Sequence, residues 1–230
     1  MFSSSVDAYH NFCIALENAI AQKNLNPAEL WYVSMRHEPP LFWDDSDDDY
    51  KIIVAHLATN NSPLIKKSQG DSFSLDFNVW VTLLPQIKSF WKSFEVSHPN
   101  YRGTKLKRIQ QYMGFPLDFI TPYCVEMSVR QSDLFRPCNN PKVEYISDPR
   151  NPIIDPRFPF DLNKHEKFMK EAETLYYPDG EGEPLFPFTK LGYTYDWYDL
   201  THPVGASEFV IRKGAQVKIH SVQSIDEYLA

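Results

Sequence analysis

At 230 residues the chain is long enough for one large domain or two small ones with a sizeable core. A net charge of −7, with 43% apolar and 23% charged residues, excludes a general binder of nucleic acid or of anionic membranes, and no run is long enough to span a bilayer. Cys13, Cys124 and Cys138 form neither a paired disulfide framework nor a CxxC metal site, and the start lacks a basic and apolar leader; a soluble protein of a reducing, cytoplasmic compartment is expected.

Ser4 and Asp7 suit a capping box. Val6, Tyr9, Phe12, Cys13, Leu16, Ala19 and Ile20 then recur at helical spacing, which predicts a helix over 5–24 with that stripe, Cys13 included, turned inward. Trp31 to Met35 has strand composition. The aspartates at 44, 45, 47, 48 and 49 lack the glycine and the terminal glutamate of an EF-hand loop and predict a solvated acidic loop. Lys51 to Leu57 reads as a strand with His56 as a structural residue. Ser72 to Val81 alternates strictly, with Phe73, Leu75, Phe77, Val79 and Val81 on one side. That pattern predicts one half-buried strand, in which Phe77→Ala costs roughly 3–5 kcal/mol.

Leu84-Pro85 closes the strand, and Ile87, Phe90, Trp91 and Phe94 predict an amphipathic helix over 85–95. Thr104 can cap a second helix over 104–113, with Leu106, Ile109 and Met113 inward and Gly114 as its stop. Tyr123 to Arg130 is again strand-like, with Tyr123, Val125, Met127 and Val129 on one face. Six prolines fall between Arg136 and Phe160. They predict an ordered excursion over 136–162, within a single domain spanning 1–230, pinned by Tyr145, Ile153, Ile154, Phe158 and Phe160. Asn163 suits the cap of a helix over 163–175, and Asp179 to Gly182 reads as a turn. Gly205 to Val222 reads as two strands hinged at Arg212-Lys213-Gly214, with Glu208 at the mouth of the first. Ser224 to Leu229 is a helical or frayed tail. The sum is an α+β architecture: a mainly antiparallel, twisted sheet flanked by about four helices.

Nucleophile-elbow, P-loop, dinucleotide-fingerprint and H-E-x-x-H patterns are absent, and the histidines at 10, 37, 56, 98, 165, 202 and 220 never reach ligand spacing, so no metal is expected. The run Ser207-Glu208-Phe209-Val210-Ile211-Arg212-Lys213-Gly214, with the alternating strand after it, resembles the closing strands of mono-ADP-ribosyltransferases. Tyr101-Arg102-Gly103 resembles the arginine motif near the start of that core. The resemblance implies NAD as the consumed substrate in a transferase or glycohydrolase reaction. Glu208 would be the catalytic carboxylate that stabilises positive charge developing on the ribose, and Arg102 the anchor of the cofactor. Tyr193, Tyr195 or Trp197 would stack on nicotinamide, and a protein would be the acceptor. It requires Arg102 and Glu208 to face one cleft. Ala206 stands where arginine-modifying members carry a second glutamate. The residues by themselves also allow Glu208 to be a solvent-facing or ion-paired strand residue, and Arg102 to be a surface or salt-bridged charge.

Two other readings stand beside it. The dense aromatic residues and the proline-rich excursion suit a non-catalytic module that binds a protein partner. Glu126, Asp196 and Glu208 could serve a hydrolase, although no spacing pairs them.

Overall fold

The computed structural model describes residues 5–21, 29–46, 50–146, 148–153, 161–177 and 185–230. In chain order the elements are α1 (Ser5–Ile20), β1 (Trp43–Asp44), β2 (Lys51–Ala58), β3 (Ser72–Ser74), β4 (Val79–Leu83), α2 (Gln86–Ser97), α3 (Lys105–Tyr112), β5 (Tyr123–Arg130), β6 (Leu134–Phe135), α4 (Leu162–Tyr176), β7 (Tyr193–Tyr195), β8 (Val204–Ser207), β9 (Phe209–Ile211), β10 (Gln216–Ser224) and α5 (Ile225–Tyr228). The fold is α+β with a mainly antiparallel sheet. No helix among the described residues is long and apolar enough to cross a membrane.

The main sheet runs β3-β10-β5-β2-β4-β9-β6, with β1 added to β2; β7 and β8 form a separate two-stranded ribbon. Its strand order forces it to roll. If the sheet were flat, β3 and β4 would lie four inter-strand steps apart, about 19 Å. The chain between Ser74 and Val79 can span at most about 18 Å when fully stretched. The two strands instead form one bent run that pairs along another bent run: Ser74 faces Gln216 and Phe73 faces Val217, then Val79 faces Ile211 and Val81 faces Phe209. At the shared bend the N–H of Leu75 donates to the carbonyl of Ala215 at 3.0 Å, and that of Gly214 donates to the carbonyl of Leu75 at 2.8 Å.

Rolled this way, the sheet wraps a core that includes Ile52, Val54, Val81, Met127, Phe209 and Ile219. A second cluster joins α2, α3 and α5 through Ile87, Trp91, Phe94, Ile109, Ile225 and Tyr228. The side chains Ala8, Phe12, Ala15 and Ala19 of α1 close over Tyr195 and Trp197.

Several expectations are corrected. The buried face of α1 is the alanine face, leaving Tyr9 and Ile20 exposed and Cys13 only part-buried, because small side chains let the helix approach Trp197 closely. Trp31 to Met35 is not a strand; Trp31 N–H bonds the Ser207 hydroxyl and Val33 N–H bonds the Val143 carbonyl. The run 72–81 is broken by the bend, and Phe77 on that bend is 42% exposed. The strands β9 and β10 do not pair with each other, since the roll gives each a different half of the 72–81 run.

Asp44 is buried rather than solvated. Burial raises its carboxyl, but hydrogen bonds from Ser46 and Ser128 and the nearby His220 outweigh this and hold it well below the usual carboxylate range. Asp47, Asp48 and Asp49 lie outside the described residues. The cap of α4 is Asp161, not Asn163. Within the excursion Val143 and Ile146 are buried while Tyr145 is exposed; Ile154, Phe158 and Phe160, like the 179–182 turn, lie outside the described residues. Of the two forms expected for the tail the helical one is found: Ser224 and Glu227 complete a capping box, and Tyr228 and Leu229 are buried.

Candidate functional site

Glu208 is the single residue between β8 and β9, where the chain leaves the two-stranded ribbon and enters the rolled sheet. Ser207 still pairs with Tyr193 in the ribbon, whereas Phe209 already pairs with Val81 in the main sheet. The Glu208 N–H donates to the carbonyl of Gly192 at 2.9 Å. The guanidinium of Arg136 donates through Nη1 to that same carbonyl at 3.2 Å, and through Nη2 to the carbonyl of Trp31 at 2.6 Å. Gly192 must have no side chain there: it holds φ +77°, and a Cβ would lie 2.5 Å from Cγ and Cδ of Arg136.

Both charges are taken out of water at a cost. Arg136 is wholly buried, its hydrogen-bond partners among the described residues are backbone carbonyls, and burial pulls its pKa down to about 10. Glu208 keeps a little accessible surface as a residue, but its Oε2 is enclosed and has no hydrogen-bond partner among the described residues. Burial pushes the Glu208 carboxyl up to about 8, with the Arg136 charge opposing. An enclosed carboxyl oxygen without a partner is expensive to maintain, and the exceptions of this kind in native proteins collect at functional sites.

Glu208 lines a cavity of about 180 Å³ whose walls come from several separate stretches of the chain. Its aromatic side is a box. Trp80 of β4 meets Tyr176 edge-on at 5.9 Å and Phe188 at 5.7 Å; Tyr176 in turn packs on Phe186 at 5.1 Å and on Phe188 at 5.3 Å. Phe115 and Phe119, beyond α3, extend the wall, Phe119 packing edge-on to Phe186 at 5.2 Å. Burial and the Glu208 charge both raise the Tyr176 phenol, so it stays protonated.

The remaining polar side chains of the wall are already assigned. His56 Nδ1 lies 2.9 Å from the carbonyl of Trp80, and burial lowers the histidine pKa. The ring is therefore neutral at pH 7, with Nδ1–H as the donor and Nε2 left as an acceptor. Thr194 donates its hydroxyl proton to the carbonyl of Tyr112 at 2.7 Å and accepts the N–H of Ala206 at 2.8 Å. The cavity thus offers aromatic faces, a carboxyl with one unpartnered oxygen, one neutral imidazole and the protonated phenol of Tyr176, while the hydroxyl of Thr194 is already engaged.

Of the expected site residues Arg102, Tyr193, Tyr195, Trp197 and Glu208, only Glu208 lines this cavity. Arg102 is exposed and not part of its wall; its neighbours Tyr101 and Gly103 line a different hollow of about 630 Å³. Tyr193 is buried against Leu30 and Leu191. Tyr195 and Trp197 stand behind the wall: the Tyr195 backbone packs where a Cβ on Gly114 would lie, and Trp197 Nε1 donates to the carbonyl of Phe115 at 3.0 Å. The guanidinium that reaches Glu208 electrostatically is that of Arg136, which no motif marks. The usable sequence signal is Glu208 itself, the one carboxylate inside the buried run from Gly205 to Ile211.

A second hollow, of about 470 Å³, has the Arg108–Asp196 pair in its floor. Arg108 donates bidentately to Asp196 at 3.0 and 2.6 Å, and its guanidinium lies 4.5–4.6 Å from the ring centres of Phe90, Phe94 and Tyr198. The two charges of this pair are each other's partners, whereas the Glu208 Oε2 has no hydrogen-bond partner among the described residues. No family model, curated protein or solved structure matches the chain.

Proposed function

We propose that the chain recognises a small organic cation, an alkylammonium group, in the Trp80 cavity, with Glu208 as its counter-ion. The observation that carries this is that Glu208, whose Oε2 is enclosed and has no hydrogen-bond partner among the described residues, lines the same cavity as the box of Trp80, Tyr176, Phe186 and Phe188. Aromatic faces attract cations, by about 2 kcal/mol or more where the contact is desolvated. The carboxyl and the His56 Nε2 supply acceptors for ammonium N–H donors. Thr194 and Nδ1 of His56 being engaged, the cavity lacks an activated nucleophile, which favours binding over covalent catalysis.

The size agrees. At about 180 Å³ the cavity falls below the roughly 300–1,000 Å³ of pockets that enclose drug-sized ligands, so it suits a head group or a single ring rather than a dinucleotide. The nicotinamide ring of NAD is itself a cation, so a nicotinamide site with Glu208 beside the ribose shares this cavity, and Arg102 would then need to be replaced as anchor. Calorimetric titration of the wild type and Glu208→Gln with n-butylammonium, and separately with NAD, tests both. Saturable n-butylammonium binding that Glu208→Gln abolishes supports the proposal. Heat from NAD alone, with nicotinamide release, supports the transferase reading instead; no binding of either overturns both.

A further inference from the structure

We infer that the hollow of about 630 Å³, separate from the Glu208 cavity, is a binding site for a neutral sugar. It does not rest on the cation reading. The observation that carries it is Gln111 of α3. This side chain is 3% exposed and lines the hollow, and its amide oxygen Oε1 is enclosed with no hydrogen-bond partner among the described residues. An acceptor left unpaired out of water is costly, and a ligand that brings a donor removes the cost. The wall around Gln111 is drawn from α1, from the turn after α2, from α3 and from the stretch Trp197 to Asp199. These parts are tied together: the N–H of Trp197 donates to the carbonyl of Gln111 at 3.3 Å, and Phe12 of α1 meets Trp197 edge-on at 5.8 Å.

The chemistry of that wall selects the ligand. Asn11, Asn100 and Gln111 all line it, and each amide can both donate and accept. A hydroxyl group does the same, so a ring carrying several hydroxyls matches such a wall. Among the described wall residues the fixed charges are those of Lys107 and Asp199, which balance and favour a neutral ligand over an ion. Tyr101 and Tyr198 are part-exposed and lie edge-on with ring centres 6.0 Å apart, offering aromatic surface to the C–H face of a sugar ring. Burial pushes the Tyr101 phenol up to about 12, so its hydroxyl stays neutral. The hollow also falls within the roughly 300–1,000 Å³ of small-molecule sites, where a few polar groups are set among aromatic ones.

The test titrates the full chain, labelled with nitrogen-15, with the methyl glycosides of glucose, galactose and mannose and with maltose, cellobiose and lactose. The expected result is saturable binding of at least one of them, with the side-chain amide signals of Asn11, Asn100 and Gln111 among those that shift. Tetrahydropyran, the same ring without hydroxyls, is expected to bind at least about tenfold more weakly. Asn100→Ala, at an exposed position, and Gln111→Met, close in volume, are each expected to weaken the sugar by about threefold or more. Should Gln111→Met fail to fold, Asn100→Ala and the amide shifts still decide. No saturable binding of any of these sugars overturns the inference, as does wild-type affinity in Asn100→Ala or equal binding of tetrahydropyran. Glucose 6-phosphate bound tenfold more tightly than methyl glucoside also overturns it, since the hollow would then be an anion site built on Lys107.

Discussion

Arg136 and Glu208 share one acceptor: the carbonyl oxygen of Gly192 takes Nη1 of the first at 3.2 Å and the backbone N–H of the second at 2.9 Å. A buried cation and a buried carboxyl are thereby fixed to the same point of the chain, where the β7–β8 ribbon gives way to the sheet. Position 192 tolerates no side chain in that arrangement. Gly192→Ala is expected to cost at least about 2 kcal/mol, combining the left-handed backbone with the clash against the Arg136 stem. Urea unfolding measures it, and a change under about 0.5 kcal/mol contradicts the shared-carbonyl account.

The raised pKa of Glu208 has a stability signature. Its folded value of about 8 lies above its ordinary 4.5, so the folded state holds a proton that the unfolded chain releases. The contribution is fully present below about pH 4.5 and is lost as pH rises through 8, an effect of a few kcal/mol. Glu208→Gln removes it. Across pH 5–9 the wild type should lose stability relative to the variant; parallel curves contradict the burial of this carboxyl.

The same proton governs affinity. An empty site at pH 7 is mostly protonated, and a cation must displace that proton. Binding of n-butylammonium should therefore strengthen roughly tenfold per pH unit up to about 8 and level off above it. A ligand that accepts a hydrogen bond from the neutral carboxyl would show the opposite slope.

The Arg108–Asp196 pair is a structural element of the second hollow. Arg108→Ala leaves Asp196 buried without its counter-ion and is expected to cost about 3–5 kcal/mol, whereas replacing both by apolar residues of similar volume should recover most of that. Equal losses in the single and double variants contradict a mutual role for the two charges.

Phe77 separates what periodicity shows from what topology decides. The alternation from Phe73 to Val81 is real, and Leu75, Val79 and Val81 are buried as it implies. What it cannot register is that the strand bends between 75 and 78 to let the sheet roll, which lifts Phe77 out. Phe77→Ala is accordingly expected to cost less than about 1 kcal/mol, against roughly 3–5 kcal/mol for Phe209→Ala in the core. Thermal melts that rank them the other way refute the bend.

The same division runs through the whole chain. Local signals were readable: Thr104 does cap α3 through the Lys107 N–H, and Tyr123 to Arg130 is β5 with Val125, Met127 and Val129 in the core. Long-range partners were not. Glu208 stood out as a carboxylate among apolar neighbours, but Trp80, Tyr176, Phe186 and Phe188 reach it from positions 20 to 128 residues upstream. Arg136 is invisible for a further reason: it bonds to carbonyls rather than to an acidic side chain, so no charge pattern points to it.

The most direct measurement is the infrared or carboxyl carbon-13 signal of Glu208 at pH 7, assigned by difference from Glu208→Gln, before and after saturation with n-butylammonium. The account predicts a mostly neutral carboxyl in the empty protein that becomes a carboxylate on binding. A carboxyl already ionised in the empty protein, or one still neutral at saturation, contradicts it.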